Sequence, residues 1–194
     1  MKIGLIGTGR LGLCFALLME RAGYEVLASD SREDYVNDLR NGVVGTAEPD
    51  VHDLLWDSGN IDFTTDNRRV IRECDIIFTL VATPSLDDGS YDVSAVWNVV
   101  NDIKDEMTSI ANYTKSFVVG CTTNPGDCDN FKKELPPSVD VFYNPEFIAQ
   151  GTIVKDLINA DMVLIGGEGN HRNELANIYH GIQDKKPSIH FMST

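Results

Sequence analysis

The chain has 194 residues, 16 Lys+Arg against 30 Asp+Glu, a formal charge of −14 and 42% hydrophobic residues. That length fills one domain with a real core, and the lack of any basic block disfavours a sequence-independent nucleic-acid binder, whose phosphate contacts need clustered Lys and Arg. No apolar run approaches the ~20 residues that cross a bilayer, so membrane insertion and secretion are disfavoured and a cytoplasmic protein is expected.

Taken in chain order, the apolar periodicity predicts a strand over 2–6, a helix over 11–21 and a strand over 26–29. Helices follow over 34–40 and 51–57, and then the nearly continuous apolar run DIIFTLV over 75–81, of the kind a parallel sheet buries on both faces. An amphipathic helix is expected over 93–107, its first amides capped by Asp92 or Ser94. Strands over 116–120 and 139–143 flank a short helix over 131–135 that Pro136 and Pro137 stop. A strand over 162–165, a helix over 170–182 opened by an Asn170 cap, and a strand over 188–191 complete the pattern. Strands alternating with helices define an α/β, doubly wound, mostly parallel sheet with helices on both faces, and such sheets take ligands at the carboxyl ends of their strands. Ser193 and Thr194 follow directly on a strand pattern with no closing helix, so further protein is expected beyond Thr194.

Cys14, Cys74, Cys121 and Cys128 show no CxxC spacing, and a chain this long needs no disulfide staples; reduced thiols are expected. His52, His171, His180 and His190 lack the i, i+4 spacing of a helical metal pair, and no metal site is expected.

Gly7-Thr8-Gly9-Arg10-Leu11-Gly12 links the first strand to the first helix. In that context the glycines have separate tasks: Gly7 for a tight turn, Gly9 for approach of a pyrophosphate, Gly12 for close packing of helix on strand. The helix N-terminus adds free amides and a positive dipole, so a Rossmann-type dinucleotide site needs few basic side chains. Asp30, about 20 residues on, is placed to accept hydrogen bonds from the adenosine ribose and to repel a 2′-phosphate. NAD is therefore expected over NADP, although Arg32 lies two residues away. A glycine-rich turn without a ligand is the alternative.

Further stretches carry a resemblance. They are Val81-Ala82-Thr83-Pro84-Ser85 with Asp88-Gly89-Ser90-Tyr91-Asp92, then Cys121-Thr122-Thr123-Asn124-Pro125-Gly126, then Tyr143-Asn144-Pro145-Glu146-Phe147-Ile148-Ala149-Gln150-Gly151, and Lys155-Asp156-Leu157 leading to Val163-Leu164-Ile165-Gly166-Gly167. Over essentially its whole length the chain resembles the N-terminal NAD-binding domain of the UDP-glucose/GDP-mannose dehydrogenase family.

The resemblance implies an NAD-dependent oxidoreductase that converts the 6-hydroxyl of a nucleotide-sugar to a carboxylate by two hydride transfers, supplying polysaccharide precursors. It implies cofactor contacts at Val81, Ala82, Thr83, Pro84, Cys121, Thr122 and Gln150, besides the glycine turn, Asp30 and Arg32. It places Glu146, Phe147, Ile148, Ala149 and Gln150 at the substrate, and makes Thr122 and Glu146 the catalytic candidates. Thr122 would orient a water or substrate oxygen, with a simple capping role as the alternative. Glu146, in a loop where partial burial would raise its pKa, would move protons; the alternative is a solvated loop glutamate. Lys155 is either a substrate contact or a surface charge. A homodimer is implied for the complete enzyme.

The chain also departs from the family. None of its cysteines has the glycine-proline-lysine context of the family's nucleophile, which, with its lysine and asparagine helpers, belongs to sequence beyond this domain. The expectation is a single domain over 1–194, inactive alone, with the family's central and C-terminal domains absent from it. Glutamine stands at 150 where many members have a proton-bearing glutamate, Tyr35 stands where many have arginine, and Ala160 and Met162 replace the family's proline and arginine. Two other readings remain: a stand-alone dinucleotide-binding module without catalysis, and a 6-phosphogluconate or β-hydroxyacid type of dehydrogenase.

Overall fold

Strands buried on both faces, with helices to cover each face, dictate the architecture. The computed structural model describes residues 1–109 and 113–193; Thr194 lies outside them. In chain order the elements are β1 (Lys2–Ile6), α1 (Arg10–Arg21), β2 (Glu25–Ser29), α2 (Glu33–Arg40), α3 (Val51–Asp57), β3 (Ile61–Thr64), α4 (Asn67–Glu73) and β4 (Ile76–Thr79). They continue with α5 (Ser94–Ser109), β5 (Lys115–Val119), α6 (Asp127–Glu134), β6 (Val139–Tyr143), α7 (Ile153–Ile158), β7 (Met162–Gly166), α8 (Arg172–Ile182) and β8 (Ser188–Met192).

The strands form one sheet in the order β3-β2-β1-β4-β5-β6-β7-β8. From β3 to β6 every neighbouring pair is parallel, and the order reverses between β1 and β4. That reversal is the switch point at which doubly wound sheets open a ligand crevice. β7 joins antiparallel to β6 through Tyr143 and Gly166, and β8 runs parallel to β7.

Alternate strand residues feed two cores. Ile3, Leu5, Val26, Ala28, Ile76, Phe78, Val118 and Phe142 face α1, α2, α3, α7 and α8. Ile6, Leu27, Ile77, Phe117, Val119 and Val141 face α4, α5 and α6. Burial of these side chains at about 25 cal/mol per Å² of apolar surface is the main driving force for the fold.

Several expected boundaries move. β3 and α4 were not anticipated, because four residues of IDFT and the charged NRRVIRE carry too few apolar positions to show a period. α7 was likewise missed. The helix expected over 131–135 starts four residues earlier, after Gly126 in the left-handed region at φ 88° and with Asp127 and Asp129 at the favourable end of its dipole. Asn170 does not cap α8: its amide donates to Asp140 at 2.8 Å, and the helix starts at Arg172. At α5, Asp92 accepts the Ser94 amide at 2.9 Å, so Asp92 rather than Ser94 is the capping residue.

Candidate cofactor and proton-handling site

The turn after β1 is built by sterics. At Gly7, φ is 99°, and a Cβ would lie 2.7 Å from the Leu80 carbonyl oxygen. At Gly12 a Cβ would run into the Gly7 carbonyl oxygen, so α1 packs on the turn only because residue 12 has no side chain. At Gly9 a Cβ would meet nothing within 4 Å. The space above Gly9 is thus left for a ligand, while Gly7 and Gly12 serve the backbone.

Gly9 begins α1 without any side-chain cap, and no acidic residue occupies the first turn. The amides and the positive end of the dipole stay available to an anion, which fits a pyrophosphate. Thr8 is buried, Leu11 packs against the core, and Arg10 reaches across to the loop after β6, donating to Gln150 at 2.6 Å.

Asp30 ends β2 and is 9% exposed. Arg32 donates to its carboxylate from the backbone amide at 3.1 Å, from Nε at 2.8 Å and from Nη2 at 2.9 Å, with the Thr8 hydroxyl at 3.4 Å. Burial works to raise this carboxyl, but the Arg32 and Thr8 bonds outweigh it and hold the group below the usual carboxylate range. Both carboxylate oxygens of Asp30 are thus engaged by Arg32, whose guanidinium lies 4.0 Å from the Tyr35 ring centroid. The Tyr35 hydroxyl donates to the Thr8 carbonyl at 2.8 Å, so Tyr35 braces the glycine turn from outside.

Gly7, Gly9, Asp30, Arg32, Val81 and Ala82 together line a cavity of about 380 Å³ with Asn67 and Ala95. A second cavity of about 280 Å³ shares Gly9 and Arg32 and adds Arg10, Tyr35 and Thr46. Thr83 and Pro84 lie at the root of a hairpin that closes through Ser85 and Tyr91. Asn124 fastens that hairpin to the loop after β5: its side chain accepts from the Tyr91 amide at 2.8 Å and donates to the Tyr91 carbonyl at 3.0 Å. Thr122 is exposed on that loop, whereas Cys121 is buried. Burial pushes the Cys14, Cys74 and Cys121 thiols up to about 12 and Cys128 to about 11, so all four are protonated at neutral pH. A thiol is a poor nucleophile compared with its thiolate.

The loop after β6 is held from both ends. Glu48, only 4% exposed, accepts from the Gly151 amide at 2.7 Å and the Ile153 amide at 3.2 Å. Asp156 accepts from the Ala149 amide at 2.9 Å and the Thr152 hydroxyl at 2.7 Å, which ties the end of this loop to the start of α7. The four residues after Glu146 do not share one direction. Ile148 packs on the core, Gln150 turns to Arg10, and Phe147, 52% exposed, lines a separate cavity of about 290 Å³ with Lys155, Asp156 and Met162.

Glu146 is not a solvated loop carboxyl. It is tucked against the buried Tyr179 of α8, which hydrogen-bonds it. Burial pushes the Glu146 carboxyl up to about 7, with the Tyr179 hydroxyl working in the other direction. Such a raised carboxylic acid costs stability as pH rises from the unfolded value of 4.5 through about 7, because the folded state holds the proton that the unfolded chain releases. Glu146→Gln, which stays neutral, should therefore flatten the pH dependence of unfolding between those values. Wild type should lose on the order of 2–3 kcal/mol across that window, read from denaturant midpoints; equal slopes for both proteins would show that Glu146 ionises freely.

Asn144, Asn124, Glu48 and Tyr179 had no separate signal in the sequence. Each acts through a partner far along the chain, and only the fold brings the pairs together.

An alternating sheet with a glycine turn at its switch point, an open helix N-terminus and an acid at the end of the second strand is a dinucleotide-binding domain of the Rossmann type. The family model of the UDP-glucose/GDP-mannose dehydrogenase family, NAD binding domain, matches residues 1–183, and the chain belongs to that family. The putative UDP-glucose 6-dehydrogenase YtcA of Bacillus subtilis is 29% identical over 86% of this chain and 39% of its own length. The UDP-glucose 6-dehydrogenase AglM of Haloferax volcanii is 30% identical over 92% of this chain and 44% of its own. The chain thus spans less than half the length of these relatives.

Among solved structures, a GDP-mannose dehydrogenase from Pseudomonas aeruginosa superposes with a TM-score of 0.89 at 24% identity, over all of this chain and 46% of that one. A UDP-glucose dehydrogenase from Pyrobaculum islandicum gives 0.87 at 24% identity, over 99% of this chain and 46% of that one. NAD is the cofactor of the domain. Membership in this family leaves no ground for the β-hydroxyacid alternative.

Among the described residues no group of His, Cys, Asp and Glu is arranged to hold a metal ion, and no helix is long and apolar enough to cross a membrane.

Proposed function

We propose that residues 1–194 are a single domain that supplies the cofactor half of a nucleotide-sugar 6-dehydrogenase of the UDP-glucose type, oxidising the sugar 6-hydroxyl to a carboxylate in two steps. The observation that carries the reading is the open face of Gly9 beside Asp30 at the switch point, with a half-buried carboxyl, Glu146, on the same chain. NAD, when bound, supplies the hydride acceptor.

The chain's own residues divide the remaining work. The first-turn amides of α1 bind the pyrophosphate, Asp30 orients the ribose, and Val81 and Ala82 wall the adenosine side. Thr122, exposed beyond β5, orients a water or substrate oxygen. Glu146 holds and moves a proton at its carboxyl oxygen. With four buried, protonated thiols, a covalent step on sulfur needs a cysteine from outside this domain. The reading extends to a cytoplasmic homodimer for the complete enzyme.

The test is the intact mass of the protein as its source cell makes it. A product about twice the 21.4 kDa of this chain, active on a nucleotide-sugar with NAD, supports the reading. A product close to 21.4 kDa that binds NAD and turns over nothing overturns it in favour of a binding module.

A further inference from the structure

The surroundings of Glu146 settle a question of proton count. The Tyr179 hydroxyl has one proton but faces two oxygens, Oδ1 of Asn144 at 2.5 Å and Oε1 of Glu146. The direction of the Asn144 amide is fixed independently, because its Nδ2 donates to the Leu164 carbonyl of β7 at 2.8 Å, and a carbonyl can only accept. Oδ1 must therefore face Tyr179 as an acceptor. Asn144 is 1% exposed and its backbone amide donates to the Val119 carbonyl at 2.9 Å, so the main chain is held in place while the Leu164 bond sets which way the carboxamide faces.

Only one arrangement satisfies every contact. Tyr179 donates to Asn144, and Glu146, carrying a proton, donates to Tyr179. If Glu146 is ionised, Tyr179 must donate to it instead, and Asn144 Oδ1 is left facing an oxygen with no hydrogen between them, inside the protein where an unmet acceptor is costly.

We propose that Asn144 and Tyr179 are positioning residues that form a one-way hydrogen-bond relay, Glu146 to Tyr179 to Asn144 to Leu164, holding Glu146 as a neutral acid poised to donate. This deepens the reading of Glu146 as the proton-handling group and rests on it for its use in a reaction. The groups that build the relay are Asn144 after β6, Leu164 of β7 and Tyr179 of α8, whose ring Phe15 of α1 stacks against. Of these only Tyr179 titrates, and burial keeps it neutral, well above its ordinary value of 10.0. Burial raises Glu146, and a bond donated by Tyr179 would pull it back down; in the relay that proton is committed to Asn144 instead.

The test is the titration of Glu146 in the chain itself, without substrate, from the carboxyl resonance of labelled glutamate assigned with Glu146→Gln. Asn144→Ala releases the Tyr179 proton to stabilise the carboxylate, and the midpoint should fall by roughly one pH unit or more. Tyr179→Phe removes that proton altogether, and the midpoint should stay at or above the wild-type one. A midpoint unmoved by Asn144→Ala, or moved the same way by both changes, overturns the relay. If Asn144→Ala does not fold, the wild-type infrared spectrum decides. Between pH 4.5 and about 7 it should show the C=O band of a protonated carboxyl, which Glu146→Gln removes, and an ionised Glu146 there overturns the proposal. None of these readings depends on turnover, so they fail or succeed separately from the proposed reaction.

Discussion

Gly12→Val should lower the thermal unfolding midpoint by roughly 6–12 °C, corresponding to a loss of about 3 kcal/mol or more. The argument is steric. Even a Cβ at residue 12 enters the space of the Gly7 carbonyl oxygen, and the obstacle is backbone in a turn whose own Gly7 cannot give way, since its φ is 99° and its neighbour is the Leu80 carbonyl. Relief requires α1 to lift from β1. α1 carries Leu13, Phe15, Ala16, Leu17 and Leu18 into one of the two cores, so a small displacement is felt along the whole helix. Measured by scanning calorimetry, a midpoint within 2 °C of wild type, less than ~1 kcal/mol, would mean that α1 can shift without loss. Gly9→Ala should behave differently. A methyl there meets no protein atom, so stability should hold while NAD binding suffers.

The second large effect concerns ligand affinity. Asp30→Ala should weaken NAD by about 2–3 kcal/mol, or roughly 30–150-fold in titration calorimetry. Two ribose hydroxyls donating to a carboxylate could be worth more, but here they are exchanged for the Arg32 bonds already present, so the net is set near the lower end. The same change frees the Arg32 guanidinium beside the cavity and removes the charge that repels a 2′-phosphate. Discrimination between NAD and NADP should therefore narrow. Unaltered NAD affinity in this variant would remove Asp30 from the ribose site. The protein without ligand should also respond to acid at this residue. With a depressed carboxyl, its contribution to stability is present above the unfolded value of 3.8 and fades as pH falls through the lower folded value.

What could be read before the fold was known follows from range. The glycine turn, Asp30 and the strand beneath them lie close together in sequence, and their spacing alone carries the geometry. The element types from β1 to α3 were legible because their apolar residues keep a period for several turns or pleats. β3 and α4 were not, since a strand of four residues and a helix with only Val70 and Ile71 buried leave no periodic trace. At the site, Glu146 could be singled out from its loop, but what governs it could not. Tyr179 lies 33 residues downstream on a helix whose apolar face reads as ordinary core, and its hydroxyl gives that face a chemical task that hydrophobic patterning does not record. Glu48 is a further case: it holds amides 103 and 105 residues away, with no local pattern to mark it.

The antiparallel junction between β6 and β7 has a mechanical consequence. Because Tyr143 and Gly166 are both the last residues of their strands and run past each other in opposite senses, β7 and β8 extend beyond the carboxyl edge at which the parallel strands end. They are secured by that backbone pairing, by the Asn144 side chain on Leu164, and by Val163 and Ile165, which pack into the core with α1 and α8.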